Sequence, residues 1–83
     1  MPQTSLPREE QTMRHFNAEE MKANVKQKRR DAGLTQEQVA KELGISKQAV
    51  SRFERHPECA SAKTLILYAN LYGCSPRDFF YGM

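Results

Sequence analysis

The sequence TQEQVAKELGISKQAVSRFE, which runs from Thr35 to Glu54, decides the fold of this chain. Apolar residues recur in it at helical spacing, which predicts two short helices over 36–43 and 47–55. Gly44 follows the first helix, where a left-handed residue closes a helix, and Ser46 precedes the second, where a hydroxyl can cap it. A connection this short predicts that the two helices cross at a large angle.

The same start and stop signals continue on both sides of this stretch. Each predicted helix follows a residue whose side-chain oxygen can accept a bond from an unpaired backbone N–H. These residues are Asn17, Thr35, Ser46, Ser61 and Ser75. Helices are therefore predicted over 18–32, 36–43, 47–55, 62–72 and 76–81. No segment alternates apolar and polar residues in the manner of a strand, so the predicted fold is an all-α, compact five-helix domain.

Three of the caps have a polar partner three residues later, the spacing of a capping box. The pairs are Asn17 with Glu20, Thr35 with Gln38, and Ser75 with Asp78. Reciprocal side-chain bonds of this kind set where a helix begins.

Length and composition allow one small domain. The chain has 83 residues and carries 13 basic against 10 acidic side chains, a net charge of +3, with 39% apolar residues. Its mean hydropathy is −0.77. No run approaches the roughly 18 apolar residues that a membrane span needs, and the N-terminus lacks the apolar core of a secretory signal. We therefore expect a cytoplasmic protein with no membrane partner.

Residues 1–16 differ from the rest of the chain. They contain Pro2 and Pro7, their charges sum to zero, and their apolar residues have no period. We expect a flexible N-terminal arm, with a short helix near 8–13 as one option and a disordered tail without a role as another. Residues 17–83 are expected to form the folded domain.

The helix over 47–55 separates into an apolar and a polar face. Its polar arc contains no acid, whereas a merely solvated face usually mixes signs. Its side chains are also types that can reach base edges, since Arg and Lys bind guanine, Gln binds adenine and Ser binds either. They are Lys47, Gln48, Ser51 and Arg52.

Residues 22–55 hold nine basic and four acidic residues, a local charge of +5. This surface suits DNA phosphates, although each single lysine can equally be a solvated residue.

These residues resemble those of the lambda-repressor/Cro-like, or xenobiotic-response-element, family of helix-turn-helix proteins. The matching positions are Gln36, Ala40, Gly44, Val50 and Phe53, together with the phrases GLTQ at 33–36 and VSRFE at 50–54. The resemblance covers about residues 18–81. It implies a bundle whose third helix lies in the DNA major groove.

The resemblance also implies roles for individual residues. Lys47, Gln48, Ser51 and Arg52 match the positions that face base edges. Gln36 matches a residue that bonds a phosphate and supports the base-reading side chains; the alternative is an ordinary first-turn residue. Arg29 and Glu54 match a buried ion pair, or else are two surface residues. Further phosphate contacts are expected from Thr35, Ser46, Arg55 and Lys63.

The C-terminal third is more apolar than one buried stripe requires. All of these residues can pack into the core, or some can form a two-fold interface. The interface candidates are Leu67, Leu71, Phe79, Phe80 and Tyr81.

No enzyme, metal or cofactor is expected. Two cysteines, Cys59 and Cys74, do not form a CxxC unit, and with His15 and His56 they match no familiar zinc spacing. Nucleophile–base and phosphate-loop motifs are also missing from the sequence.

The predicted function is a sequence-specific transcriptional regulator, a repressor that binds palindromic operator DNA as a homodimer through helix 47–55. The alternative is an antitoxin or a protein-interaction adaptor that mainly binds a partner protein, such as a toxin or another regulator.

Overall fold

The computed structural model describes residues 17–81, and this part of the chain is helical throughout. Its elements are α1 Ala18–Asp31, α2 Gln36–Leu43, α3 Lys47–Arg55, a 3-10 helix Pro57–Cys59, α4 Ala62–Tyr72 and α5 Asp78–Tyr81. The prediction of an all-α fold with five α-helices is confirmed. The expected arm over 1–16 and its optional helix near 8–13 lie outside the described residues.

Side-chain caps determine where most helices begin. The Asn17 Oδ1 atom accepts the backbone N–H groups of Glu19 and Glu20 at 2.9 and 3.1 Å. Thr35 and Gln38 form the full reciprocal box, with the Thr35 hydroxyl accepting from Gln38 N at 3.1 Å and Gln38 Oε1 accepting from Thr35 N at 2.8 Å. These bonds satisfy donors that a helix leaves unpaired at its first turn.

The predicted boundaries differ from the structure at three places. α1 ends at Asp31, one residue early, and Pro57–Cys59 forms a 3-10 helix that was not predicted. α5 begins at Asp78, two residues later than predicted, because the preceding turn is bonded differently. The N–H of Asp78 donates to the Ser75 carbonyl at 2.9 Å, a three-residue bond, and Asp78 Oδ2 accepts from Ser75 N at 3.1 Å. The bond between Ser75 N and Asp78 Oδ2 is one half of the expected capping box.

The core lies between α1 and the helices that follow it, and it includes Val39 and Ala40 of α2. α1 packs against α5, the 3-10 helix, α3 and α4, while α2 packs against α3. α5 is also tied to α1 by a hydrogen bond, since the Asn24 amide donates to the Phe79 carbonyl at 2.9 Å. The buried apolar residues are Met21, Val25, Val39, Ala40, Val50, Phe53, Leu65, Tyr68, Ala69, Tyr72 and Phe79.

An aromatic cluster joins α3 to the C-terminal helices α4 and α5. The Phe53 ring of α3 stacks on the Tyr68 ring of α4 with centroids 3.8 Å apart. Phe79 meets Phe53 and Tyr72 edge-on, at 6.3 and 6.2 Å. Such pairs add to the stabilisation from burial alone, by about 0.5–1.5 kcal/mol each. α3 is therefore held from behind by rings of α4 and α5.

The hydroxyl groups of Tyr68 and Tyr72 are shielded from solvent by their burial in this cluster. Burial, with the nearby Glu54 carboxylate as the second cause, raises the pKa of Tyr68 to about 12. The same two causes raise the pKa of Tyr72 further above its ordinary range. Within residues 17–81 the buried Tyr72 hydroxyl has no hydrogen-bond partner. An unpaired buried hydroxyl costs free energy, so the Tyr72 ring stabilises the fold while its oxygen opposes it.

We predict that Tyr72→Phe leaves the free energy of unfolding unchanged or raises it by up to about 1 kcal/mol, because it removes an unpaired polar atom and keeps the ring. Urea unfolding followed by circular dichroism measures the change. Tyr72→Ala is the matched control and should cost about 3–5 kcal/mol, since it removes the ring too. A loss above 1 kcal/mol for Tyr72→Phe would mean that the hydroxyl is bonded after all.

Candidate nucleic-acid interface

The turn between α2 and α3 is closed by the backbone at Gly44. This residue has φ +68°, in the left-handed region, and its N–H bonds to the carbonyls of Ala40 and Lys41. The next N–H, that of Ile45, donates to the Ala40 carbonyl at 3.0 Å. A methyl group at Gly44 would meet no atom within 4 Å, so glycine is needed there for its backbone angle and not for space.

α3 presents one face to solvent and one to the core. Val50, Phe53 and Glu54 are buried. The four predicted base-reading residues lie on the other arc: Lys47, Gln48 and Arg52 are exposed, and Ser51 is half-buried. The helix begins at Ser46, whose hydroxyl accepts the Ala49 N–H at 3.1 Å. The structure thus brings these side chains together on one outward-facing surface.

The exposed charge of α3 is entirely positive. Lys47, Arg52 and Arg55 are exposed, and the single acid of this helix, Glu54, is 1% exposed. A buried carboxylate paired with a cation adds little negative potential to the surface. The outward face of α3 is therefore more basic than its sequence composition indicates, and this suits phosphate and guanine ligands.

Glu54 is buried against Arg29 of α1. Arg29 Nε donates to one carboxylate oxygen at 2.5 Å and Nη2 donates to the other at 3.3 Å. The third guanidinium nitrogen, Nη1, donates to the backbone carbonyl of Leu34 at 2.9 Å. Arg29 thus connects α1, the segment just before α2, and the end of α3. The sequence pointed to this pair through the resemblance, but not to the Leu34 bond.

Gln36 lies at the first position of α2 and contacts the same carboxylate. Its Nε2 donates to Glu54 Oε1 at 3.0 Å, and the residue is half-buried. Sequence reasoning assigned Gln36 to a phosphate and missed this bond, because Glu54 is 18 residues away along the chain. An amide nitrogen carries two hydrogens, so a second N–H of Gln36 stays available to another acceptor.

The other predicted phosphate contacts lie at helix starts or on exposed surface. The hydroxyls of Thr35 and Ser46 accept capping bonds, which leaves their own hydrogens able to donate. Lys63 is exposed in the first turn of α4, next to the capping residue Ser61. Arg55 is exposed at the end of α3.

The five residues predicted as dimer-interface candidates differ in their burial. Phe79 is completely buried against Phe53 and Tyr72. Its inclusion among the interface candidates is corrected, because a side chain enclosed by its own core cannot contact a second copy. Leu67 is 49% exposed and Tyr81 48%. The remaining candidates, Leu71 and Phe80, are half-buried against the core.

An open apolar groove of about 510 Å³ lies between α3 and α4. Its walls include Ile45 and Ala49 beside Leu67, with Arg52 also lining it. Both Ile45 and Ala49 are exposed. Nothing in the sequence pattern indicated a groove next to the predicted base-reading residue Arg52.

One of the two cysteines, Cys59, also lines the apolar groove between α3 and α4. Cys59 is exposed and Cys74 half-buried, and both are free thiols. Burial raises the pKa of the Cys74 thiol. Across residues 17–81 no group of three or more His, Cys, Asp or Glu side chains is placed to hold a metal ion. His15 lies outside this range. Over the same residues, none of the helices is long and apolar enough to cross a membrane.

The family of this chain follows from these features and from a direct comparison. A family model described as helix-turn-helix matches residues 25–79, which include the turn, both helices beside it and α4. The chain belongs to this lambda-repressor/Cro-like helix-turn-helix family, a class of DNA-binding transcription regulators. Comparisons with curated proteins and with solved structures found no significant match.

We predict that Arg29→Met lowers the free energy of unfolding by about 3–5 kcal/mol, because it leaves the Glu54 charge buried without a cation. Urea unfolding measures it. Arg30→Met is the matched control at the neighbouring exposed position and should stay within about 0.5 kcal/mol. The double variant Arg29→Met with Glu54→Leu should recover most of the loss. Equal small effects at positions 29 and 30 would contradict a buried pair.

Proposed function

We propose that this protein is a sequence-specific repressor that binds palindromic operator DNA as a homodimer, with α3 in the major groove. The observation that carries the proposal is the outward face of α3. Its exposed ionisable side chains, Lys47, Arg52 and Arg55, are all basic, and the only acid of the helix is buried in an ion pair. A helix face that is merely solvated usually carries charges of both signs, whereas this face carries cations alone.

Base recognition is assigned to four side chains of α3. Arg52 and Lys47 can donate to guanine O6 and N7, and Gln48 can pair with the adenine edge. The half-buried Ser51 can bond either base at short range. Because α3 is braced from behind by the rings of Tyr68 and Phe79, these side chains project from a rigid element, which suits specific recognition.

Phosphate contacts are assigned to residues around this helix. Thr35 and Gln36 begin α2, Ser46 begins α3, and Lys63 lies in the first turn of α4. Such contacts hold a protein in register on the duplex without reading sequence. Their charge makes binding salt-dependent.

A second copy is needed because one recognition helix reads few base pairs. Dimers of this motif bind half-sites one DNA turn apart, about 34 Å. We assign the contact to the row Leu67 and Leu71 on α4, four residues apart on one side of the helix. Leu67 continues into the apolar groove that Ile45 lines, so this surface is larger than one exposed side chain.

A repressor acts by occupying its operator, so α3 and a dimer contact suffice for the proposed role. A protein-interaction adaptor would use the row of Leu67 and Leu71 for a different protein and would not need a base-reading face. DNA selectivity and self-association therefore separate the two functions.

The DNA assignment predicts that Arg52→Ala weakens binding to a duplex selected from random DNA by about 1–3 kcal/mol, and that it relaxes the preference at one base pair. Fluorescence anisotropy with selected and scrambled duplexes measures both. Lys63→Ala is the control for a phosphate contact: it should weaken both duplexes alike and reduce the salt slope by about 1. Equal losses on both duplexes for Arg52→Ala would remove its base-reading role.

The dimer assignment predicts that Leu67→Glu yields a monomer and weakens binding to a palindromic site more than to a half-site. Sedimentation velocity measures the oligomeric state. Ile66→Glu is a matched control, because Ile66 is 48% exposed and projects about 100° away around the same helix. That variant should remain dimeric. A wild-type chain that is monomeric both alone and on palindromic DNA would exclude the homodimer.

A further inference from the structure

The carboxylate of Glu54 has one contact that an ion pair does not require. Arg29 already satisfies both of its oxygens. Oε1 also accepts from Gln36 Nε2 at 3.0 Å, across from α3 to the first residue of α2. The carboxylate is buried and the Gln36 side chain is only half-buried. Gln36 therefore connects the buried pair to the surface assigned to DNA.

We propose that Glu54 is a positioning residue for DNA binding, and that it acts by holding the Gln36 amide in the orientation that meets a DNA phosphate. This inference rests on the proposed function and adds a second role to a residue that otherwise only supports the fold. The ligand is a phosphate oxygen of the duplex backbone, reached by the second N–H of Gln36.

The hydrogen-bonding chemistry of the Glu54 carboxylate and the Gln36 amide allows only one orientation of that amide. An ionised carboxylate only accepts hydrogen bonds, so it binds the NH₂ side of the Gln36 amide and rejects the carbonyl side. A free glutamine can turn either side outward and samples several rotamers. Once one N–H is held by Glu54, the direction of the other is set before DNA arrives. Fixing such a side chain in advance removes an ordering cost from binding.

Arg29 holds the carboxylate and the backbone near Gln36 at the same time. Its Nη1 bonds the Leu34 carbonyl, two residues before Gln36, while Nε and Nη2 hold Glu54. The acceptor of the Gln36–Glu54 bond, and the backbone two residues before its donor, are thus both bonded to one guanidinium. Arg52 lies two residues before Glu54 on α3. The bond from Glu54 to Gln36 therefore sets the position of the proposed phosphate contact on α2 relative to the proposed base contact of Arg52.

The test is a double-mutant cycle on the full chain with its selected duplex. Glu54→Asp keeps the negative charge but withdraws the carboxylate by one methylene from Gln36 and from Arg29 alike, so only the cycle with Gln36 isolates the part of its effect that passes through the Gln36 bond. Gln36→Leu keeps the size of the side chain and removes both N–H groups. We expect Glu54→Asp to weaken binding about 3- to 10-fold in the wild-type chain and less than about 2-fold when Gln36 is leucine, because the two act through one bond.

Lys63→Ala provides the matched cycle, because Lys63 is an assigned phosphate contact on α4 with no bond to Glu54. The effects of Glu54→Asp and Lys63→Ala should multiply. Multiplicative losses with Gln36→Leu as well would overturn the inference, since Glu54 would then act on the whole fold alone. Urea unfolding of each variant identifies the fraction that is folded in the binding assay.

A measurement on the unmutated protein covers the case in which Glu54→Asp does not fold. Proton exchange of side-chain amides by NMR should show one Gln36 Nε2 hydrogen exchanging more slowly than those of Gln48, which is exposed on α3. Equal exchange at both glutamines would overturn the inference. If the wild-type chain selects no DNA sequence, the proposed function fails, and the exchange experiment still reports on the Gln36 bond by itself.

Discussion

The buried ion pair of Arg29 and Glu54 is the interaction on which the arrangement of the helices depends. It joins the end of α1 to the end of α3, and its remaining bonds reach the Leu34 carbonyl and the Gln36 amide on either side of the α2 cap. Both carboxylate oxygens and all three guanidinium nitrogens take part in hydrogen bonds in this cluster, and pairing of this kind is the condition under which buried charges are tolerated. Three helices share this one set of polar contacts, so the loss of one member leaves the other polar groups without their partners.

The same pair shapes the outer surface of the domain. Burying the only acid of α3 leaves a face whose charged residues are all basic, while the rings of Phe53, Tyr68 and Phe79 hold the helix from the core side. Rigidity and positive potential thus arise from the two opposite faces of one short helix. A DNA-binding regulator needs both, since phosphate attraction brings the duplex close and a fixed helix distinguishes its bases.

Most of the fold could be predicted because its signals are local. A cap such as Thr35 with Gln38, or a left-handed Gly44, acts within a few residues, and α2, α3 and α4 begin and end where the sequence indicated. The start of α5 was missed because Ser75 and Pro76 form a tight turn whose three-residue bonds compete with an α-helical start. The 3-10 helix was missed for a similar reason. Pro57 predicts the end of α3, but it is compatible both with a loop and with a 3-10 turn after that end.

The sequence by itself determined the helices, the family and the polar arc of Lys47, Gln48, Ser51 and Arg52, because periodicity and capping are short-range properties. Only the tertiary structure decided that Gln36 bonds Glu54, that Phe79 belongs to the core, and that Ile45 and Leu67 line one groove. Those facts depend on side chains that are distant in sequence and are brought together by packing. Helical period says which face a residue occupies, and packing alone says what lies against that face.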